Sequence, residues 1–251
     1  MLKEERQRYI VDRLHREGKI LGTDLVMQLK VSEDTIRRDL NELAEAGILQ
    51  RVHGGALPRA LSSSYEERLQ TSTGAKVTIA RAAADLIHDG QVIIMDSGTT
   101  VHEIANQIPP NRQATVITNS IPVAATLALH PHIEVQVLGG KLKKDAQAMI
   151  GVPVIEALKQ IRADLCFLGI CSLHPEIGIS MPDMEEVYTK RTMIEQAAEI
   201  VAVSEASKLG TAAPYIVASI TALTYLVTDT STDDKSLAPY RQLGIQVIRA
   251  D

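Results

Sequence analysis

The sequence predicts an α/β protein in two parts: an N-terminal winged helix-turn-helix unit, then a mostly parallel, doubly wound sheet. Three observations carry this. Residues 1–57 show three short amphipathic helices and a ribbon. Residues 58–75 (PRALSSSYEERLQTSTGA) are a polar stretch with Pro, Ser and Thr, the composition of a linker. Across residues 76–251 short apolar runs alternate with helical patterns, which implies parallel strands covered on both faces.

The elements follow in order. Glu4 to Glu17 place Ile10, Val11 and Leu14 on one helical stripe, and Gly18 stops that helix. Ile20 and Leu21 are a short extended piece. Thr23 is the expected cap of a helix carrying Leu25, Val26 and Leu29. Ser32 caps the next helix, with Glu33 and Asp34 in the first turn where the helix dipole favours them. Ile36, Leu40 and Leu43 are its inward face, and Gly47 ends it. ILQRVHGGAL is then a ribbon turning at Gly54-Gly55. Within the linker, Tyr65 and Leu69 are placed to dock a short helix. A helix over Lys76–His88 precedes the expected strands Gln91–Met95, Ala114–Ile117, Ile133–Leu138, Ala163–Leu168, Ile200–Val203, Tyr225–Thr228 and Ile245–Ile248.

Composition narrows the function. With 251 residues, 45% hydrophobic and 23% charged, the chain has the profile of a globular protein. No Trp and a single Phe leave an aliphatic core. The net charge of -5 alone argues against nucleic acid, but residues 1–60 are close to neutral and the acidic excess lies in the remainder. DNA binding is then compatible with the head if its arginines share a face. Cys166 and Cys171 do not make a disulfide framework or, without further ligands, a metal site. Cys166 is expected as a small buried hydrophobe and Cys171 as a pocket-rim or buried thiol. No signal peptide, membrane-length apolar run or cofactor signature is apparent, so a cytoplasmic protein without a membrane partner is expected.

The helix pair joined by Lys30-Val31-Ser32 has helix-turn-helix spacing. The second helix would enter the major groove by its N-terminal end, nominating Ser32, Asp34, Thr35, Arg37 and Arg38 for duplex DNA. Arginine takes guanine bidentately or clamps a phosphate. Arg51 and His53 would be wing contacts to the backbone or minor groove. The plainer alternative is a three-helix packing module with solvated arginines. In the second part, VIIMDSGTTVHEIA is a strand, a small-residue loop and a helix. Ser97, Gly98, Thr99 and Thr100 combine free helix N–H groups with hydroxyls, which suits a phosphate, or else make only a capped turn. No Lys follows the glycine, so this is not a Walker loop. Asp96 either accepts from sugar hydroxyls or caps the turn. Asn119 and Gly139 follow other strands. Glu186 and Lys190, four apart on a helix, form a surface ion pair or orient a ligand. Lys141, Lys143 and Lys144 favour a solvated turn over an anion lid.

The run VSEDTIRRDLNELAEAGILQRVHGGA resembles the signature of the DeoR family of bacterial sugar-catabolism regulators. DSGTT (96–100), TNS (118–120), LGG (138–140), FLG (167–169), EVYTKR (186–191) and SEASKLG (204–210) resemble its sensor half. The resemblance implies a transcriptional regulator, a repressor of a carbohydrate-catabolism operon, that binds an operator as a homodimer or homotetramer and responds to a phosphorylated sugar or polyol. It also implies a sensor fold similar to ribose-5-phosphate isomerase. Ser97, Thr99, Thr100 and Lys208 would hold the phosphate, and Asp96, Asn119, Glu186 and Lys190 the sugar or the pocket frame. The chain departs from the isomerases in LGICSLHPEIG, where their acidic pair is missing and only Glu176 and His174 stand. Without a committed acid or base, binding without turnover is expected. A second departure is Glu205, where the family usually has Asp. An active isomerase with an accessory head, and a protein-interaction module, are the competing classes.

Overall fold

A computed structural model describes residues 1–59, 63–71 and 74–251. The head runs α1 (Lys3–Glu17), β1 (Ile20–Leu21), α2 (Gly22–Leu29), α3 (Glu33–Glu45), β2 (Leu49–Val52) and β3 (Gly55–Pro58). Its core is the expected aliphatic set, with Ile10, Leu14, Leu25, Ile36, Leu40 and Leu43 all buried. A partly buried ion pair between Arg6 and Asp39, which sequence patterning did not suggest, ties α1 to α3.

Two expectations in the head are corrected. Thr23 does not cap α2. That helix starts at Gly22, whose N–H donates to the Gly54 carbonyl at 2.8 Å, so the wing turn holds the helix start. The ribbon turns at His53-Gly54, because Val52 pairs with Gly55 and Gly55 belongs to the strand. A Cβ at Gly55 would overlap the Ile20 carbonyl, since β1 also pairs here. The wing is thus a three-stranded sheet, ordered β1-β3-β2.

Beyond the wing, α4 (Tyr65–Gln70) is capped by Ser64 and docked by Tyr65, whose hydroxyl meets His102 Nδ1 at 2.8 Å. Leu69 stays exposed rather than docking. Residues 60–62 and 72–73 of the expected linker lie outside the described residues. The next helix, α5 (Gly74–Ala84), starts and ends earlier than the sequence suggests.

The body continues β4 (Val92–Met95), α6 (Thr99–Gln107), β5 (Ala114–Thr118), α7 (Ile121–Leu127), β6 (Ile133–Val137), β7 (Lys141–Lys143), β8 (Ala148–Ile150) and α8 (Val152–Leu158). Then follow β9 (Ala163–Gly169), β10 (Ser172–His174), β11 (Gly178–Met181), α9 (Met184–Glu195), β12 (Ala197–Val203), β13 (Tyr215–Ala218), β14 (Tyr225–Asp229), α10 (Asp234–Gln242) and β15 (Gln246–Ala250). The seven expected strands form one parallel sheet ordered β15-β14-β12-β9-β4-β5-β6. Alternate residues feed two buried layers: Ile94, Cys166 and Leu168 face one side, Ile93, Met95 and Phe167 the other. The chain builds outward from β4 to β6, then crosses to β9 and builds the other way. Between β4 and β9 lies a topological switch point, where the carboxyl ends of a doubly wound sheet leave a crevice. Small antiparallel sheets, β7-β8 and β10-β11-β13, stand beside it.

Candidate functional site

The outward side of α3 carries the residues nominated for DNA. Ser32 caps the helix, its Oγ accepting from the Thr35 N–H and lying 2.8 Å from Thr35 Oγ1. Burial of Ile36, Leu40 and Leu43 leaves Arg37 and Arg38 exposed. Arg37 pairs with Asp34 at 2.8 Å, while Arg38 has no ion-pair partner among the described residues. On the wing, Arg51 donates to Asn41 of α3, which fixes the wing against the helix, and His53 sits exposed at the turn. The nominated set therefore spans one helix end and the wing.

At the switch point a cavity of about 820 Å³ opens between body, α4 and head. Its floor is the β4–α6 turn. Ser97, Thr99 and Thr100 are buried there, and Gly98 has φ +138°, a conformation that a side chain would strain. The first N–H groups of α6 lack intrahelical partners by geometry. Thr100 Oγ1 is buried with no hydrogen-bond partner among the described residues. Lys208, on the loop after β12, lines the same cavity and has no ion-pair partner among the described residues. Burial lowers its pKa, partly countered by Glu205. A helix N-terminus, spare hydroxyls and a lysine are groups that can hydrogen-bond an oxyanion.

Asp96 and Lys190 frame the floor. Lys190 is buried and donates to Asp96 and, at 3.0 Å, to the Gly169 carbonyl. Asp96 Oδ2 also accepts from the Gly169 N–H at 2.9 Å. Any Cβ at Gly169 would overlap the Ser97 carbonyl, so glycine lets β9 approach the loop. Lys190 is therefore neither a surface residue nor chiefly the partner of Glu186; α9 turns both inward. Burial raises the Glu186 pKa, and Lys190 opposes this. Asn119 lines a smaller cleft behind Asp96, donating to the Met149 carbonyl at 2.9 Å while its Oδ1 is left without a partner among the described residues. Gly139 is exposed and lines neither space.

Residues that sequence reasoning missed complete the wall. Lys143 is not a solvated turn residue: it meets Asp183 at 2.7 Å, Asp145 at 3.2 Å and Glu186 at 3.7 Å. Burial disfavours its charge, but hydrogen bonds to Asp183 and Asp145 outweigh that and raise its pKa. Lys141 and Lys144 are exposed as expected. Arg68 of α4 and Lys76 of α5 face the same cavity; Cys171 lines it too, at the pocket rim as the sequence suggests. Burial raises the Cys171 pKa. His174 and Glu176 do not reach it: Glu176 instead pairs with Lys19 of the head at 2.6 Å.

A winged helix-turn-helix head on a doubly wound body with a cavity at its switch point is the architecture of a transcriptional regulator. A family model described as DeoR-like helix-turn-helix domain matches residues 6–59, and one described as DeoR C terminal sensor domain matches residues 71–230. The chain belongs to the DeoR family. It is 38% identical to the HTH-type transcriptional repressor GlcR of Bacillus subtilis, over 91% of this chain and 89% of that protein. It is 32% identical to the glycerol-3-phosphate regulon repressor of Escherichia coli, over 91% and 92%. A ribose 5-phosphate isomerase from Methanocaldococcus jannaschii aligns at 17% identity and a TM-score of 0.38. That alignment covers 53% of this chain and 52% of the isomerase, about half the enzyme's length. No helix among the described residues is long and apolar enough to cross a membrane.

Proposed function

We propose that this regulator is a cytoplasmic repressor of a carbohydrate-catabolism operon and that a phosphorylated sugar or polyol in its cavity modulates operator binding. The observation that carries the reading is the cavity itself, an oxyanion floor that opens against the DNA-binding head. Arg37, Arg38 and Thr35 read or clamp the duplex, with Asp34 orienting Arg37. Ser32 fixes the helix end, and Arg51 and His53 add wing contacts. Ser97, Gly98, Thr99, Thr100 and Lys208 hold the phosphate. Glu186 faces the sugar hydroxyls, and Asp96, Lys190 and Asn119 frame that end.

Residues 1–57 act as head and residues 76–251 as sensor. A homodimer or homotetramer sets two heads on repeated half-sites and gains effective concentration. An effector shifts the DNA-bound population only through a difference in affinity between two head arrangements. The site binds without turnover. Asp183 is committed to Lys143 and Asp96 to Lys190, and Glu176 and His174 lie outside the cavity. Thermal-shift screening of the full chain against sugar and polyol phosphates tests the reading. One compound should raise the melting temperature, and Lys208→Ala should abolish the rise. A panel with no such compound refutes effector sensing, and isomerisation of any panel member refutes binding without turnover.

A further inference from the structure

The segment between head and body does more than connect. Its helix α4 brings Arg68 to the cavity wall, next to Lys76 of α5 and Lys208. The Arg68 guanidinium donates to the Ser63 carbonyl and has no carboxylate partner among the described residues. Lys76 is buried, donates to the Arg68 carbonyl at 2.6 Å, and finds its nearest carboxylate, Glu205, only at 4.0 Å. Of these three cations only Lys76 has a carboxylate within 4.0 Å among the described residues. Burial lowers the pKa of Lys76 and of Lys208, and in each the neighbouring cations push the same way. Positive charge buried without compensation is costly. A phosphate monoester, with about 1.5–2 negative charges at neutral pH, would supply what the wall lacks.

The same wall is wired to both ends of the connection. Thr211 Oγ1 donates to the Lys208 carbonyl at 2.7 Å. Next to it, the Ala212 N–H donates to the carbonyl of Pro58, the last residue of the wing strand β3, at 3.1 Å. At the start of α4, the Tyr65 N–H donates to the Asp145 carbonyl at 2.7 Å, on the turn that follows Lys143.

We infer that the linker helix is part of the effector site: Arg68, supported by Lys76, closes over the phosphate that Lys208 and the Ser97–Thr100 turn hold from below. This rests on the oxyanion reading of the cavity. It makes α4 the element through which occupancy fixes the head, because the phosphate holds the linker and the Lys208 loop to one another. The body alone would lack one of its phosphate ligands.

The test is calorimetric titration of the full chain with inorganic phosphate at constant ionic strength, with amide exchange followed across residues 63–71. A charge-assisted hydrogen bond to phosphate is lost in Arg68→Ala, so affinity should fall about tenfold to a hundredfold, as in Lys208→Ala. Arg68→Lys should fall less, and serves if the alanine variant melts early. Phosphate should slow exchange across 63–71 in the wild type and not in Arg68→Ala. If Lys208→Ala weakens binding while both Arg68 variants bind as the wild type does, the linker claim is overturned and the effector reading stands. If phosphate does not bind the wild type, or Lys208→Ala binds it unchanged, the oxyanion reading falls and the linker claim with it.

Discussion

Asp96 is the residue on which the cavity floor depends. Its carboxylate meets Lys190, a buried ammonium, and the backbone N–H of Gly169. Asp96→Asn leaves that charge without its closest counter-ion, a loss of about 3–5 kcal/mol for a buried pair. Urea unfolding measures this, and a loss near the surface-pair value of about 1 kcal/mol or less would mean that the pair is not load-sharing. Adding Lys190→Met should recover part of the loss. His174 gives a pH dependence. Its Nδ1 accepts from the Glu176 and Ile177 N–H groups, so protonation there breaks both bonds. Burial lowers its pKa, with Lys19 in the same direction and Glu176 opposing. The unfolded chain then takes up the proton first, so stability is complete above the unfolded value of about 6.5 and is lost as pH falls towards the folded value. His174→Asn keeps an acceptor but does not titrate. Its melting temperature should fall less than that of the wild type between about pH 7 and about pH 5.5. Equal falls would assign the acid sensitivity elsewhere, His102 being the other histidine whose pKa burial lowers.

At the scale of the element, the turn between α2 and α3 holds a strained position. Lys30 ends α2 with φ +50°, a left-handed conformation that glycine adopts without a Cβ penalty. Lys30→Gly should raise stability by about 0.5–1 kcal/mol in chemical denaturation; a loss would show that the lysine side chain holds the turn. The same scale explains what was legible in the sequence. The five inner sheet strands were readable because they are mostly buried, largely apolar runs, such as VIIM and ADLCFLG, while the edge strands β6 (IEVQV) and β15 (QVIRA) carry the signal only in their Ile and Val residues. By contrast β7 (KLK) and β10 (SLH) are too short and too polar to register as strands. Thr23 looked like a cap because its type fits, but a backbone bond from Gly22 to the wing chose the helix start. The β4–α6 turn was legible because strand, small residues and helix are contiguous. Lys143 was not: its fate is set by Asp183, 40 residues away. Arg68 and Lys76 were equally hidden, since their place on the wall follows from how α4 and α5 pack.

Over the whole molecule, both proposed ligands, duplex DNA and a phosphate ester, are anions that need local positive charge. The chain carries a net charge of -5, yet Arg37, Arg38 and the wing give the head a cationic edge. The cavity meets the head elsewhere, where His15 and Arg59 border it, and Lys19 reaches Glu176 of the body. A ligand there would touch the junction between head and body. The central claim is that occupancy of this cavity changes DNA affinity. The most direct measurement is the dissociation constant of the full chain for a duplex selected from a random library, with and without the sugar or polyol phosphate that raises its melting temperature. The account expects that compound to change affinity in the wild type, an unchanged affinity in Lys208→Ala, and in Arg38→Ala weaker binding with a salt slope shallower by about 1. Equal affinity with and without a compound that demonstrably binds would contradict it.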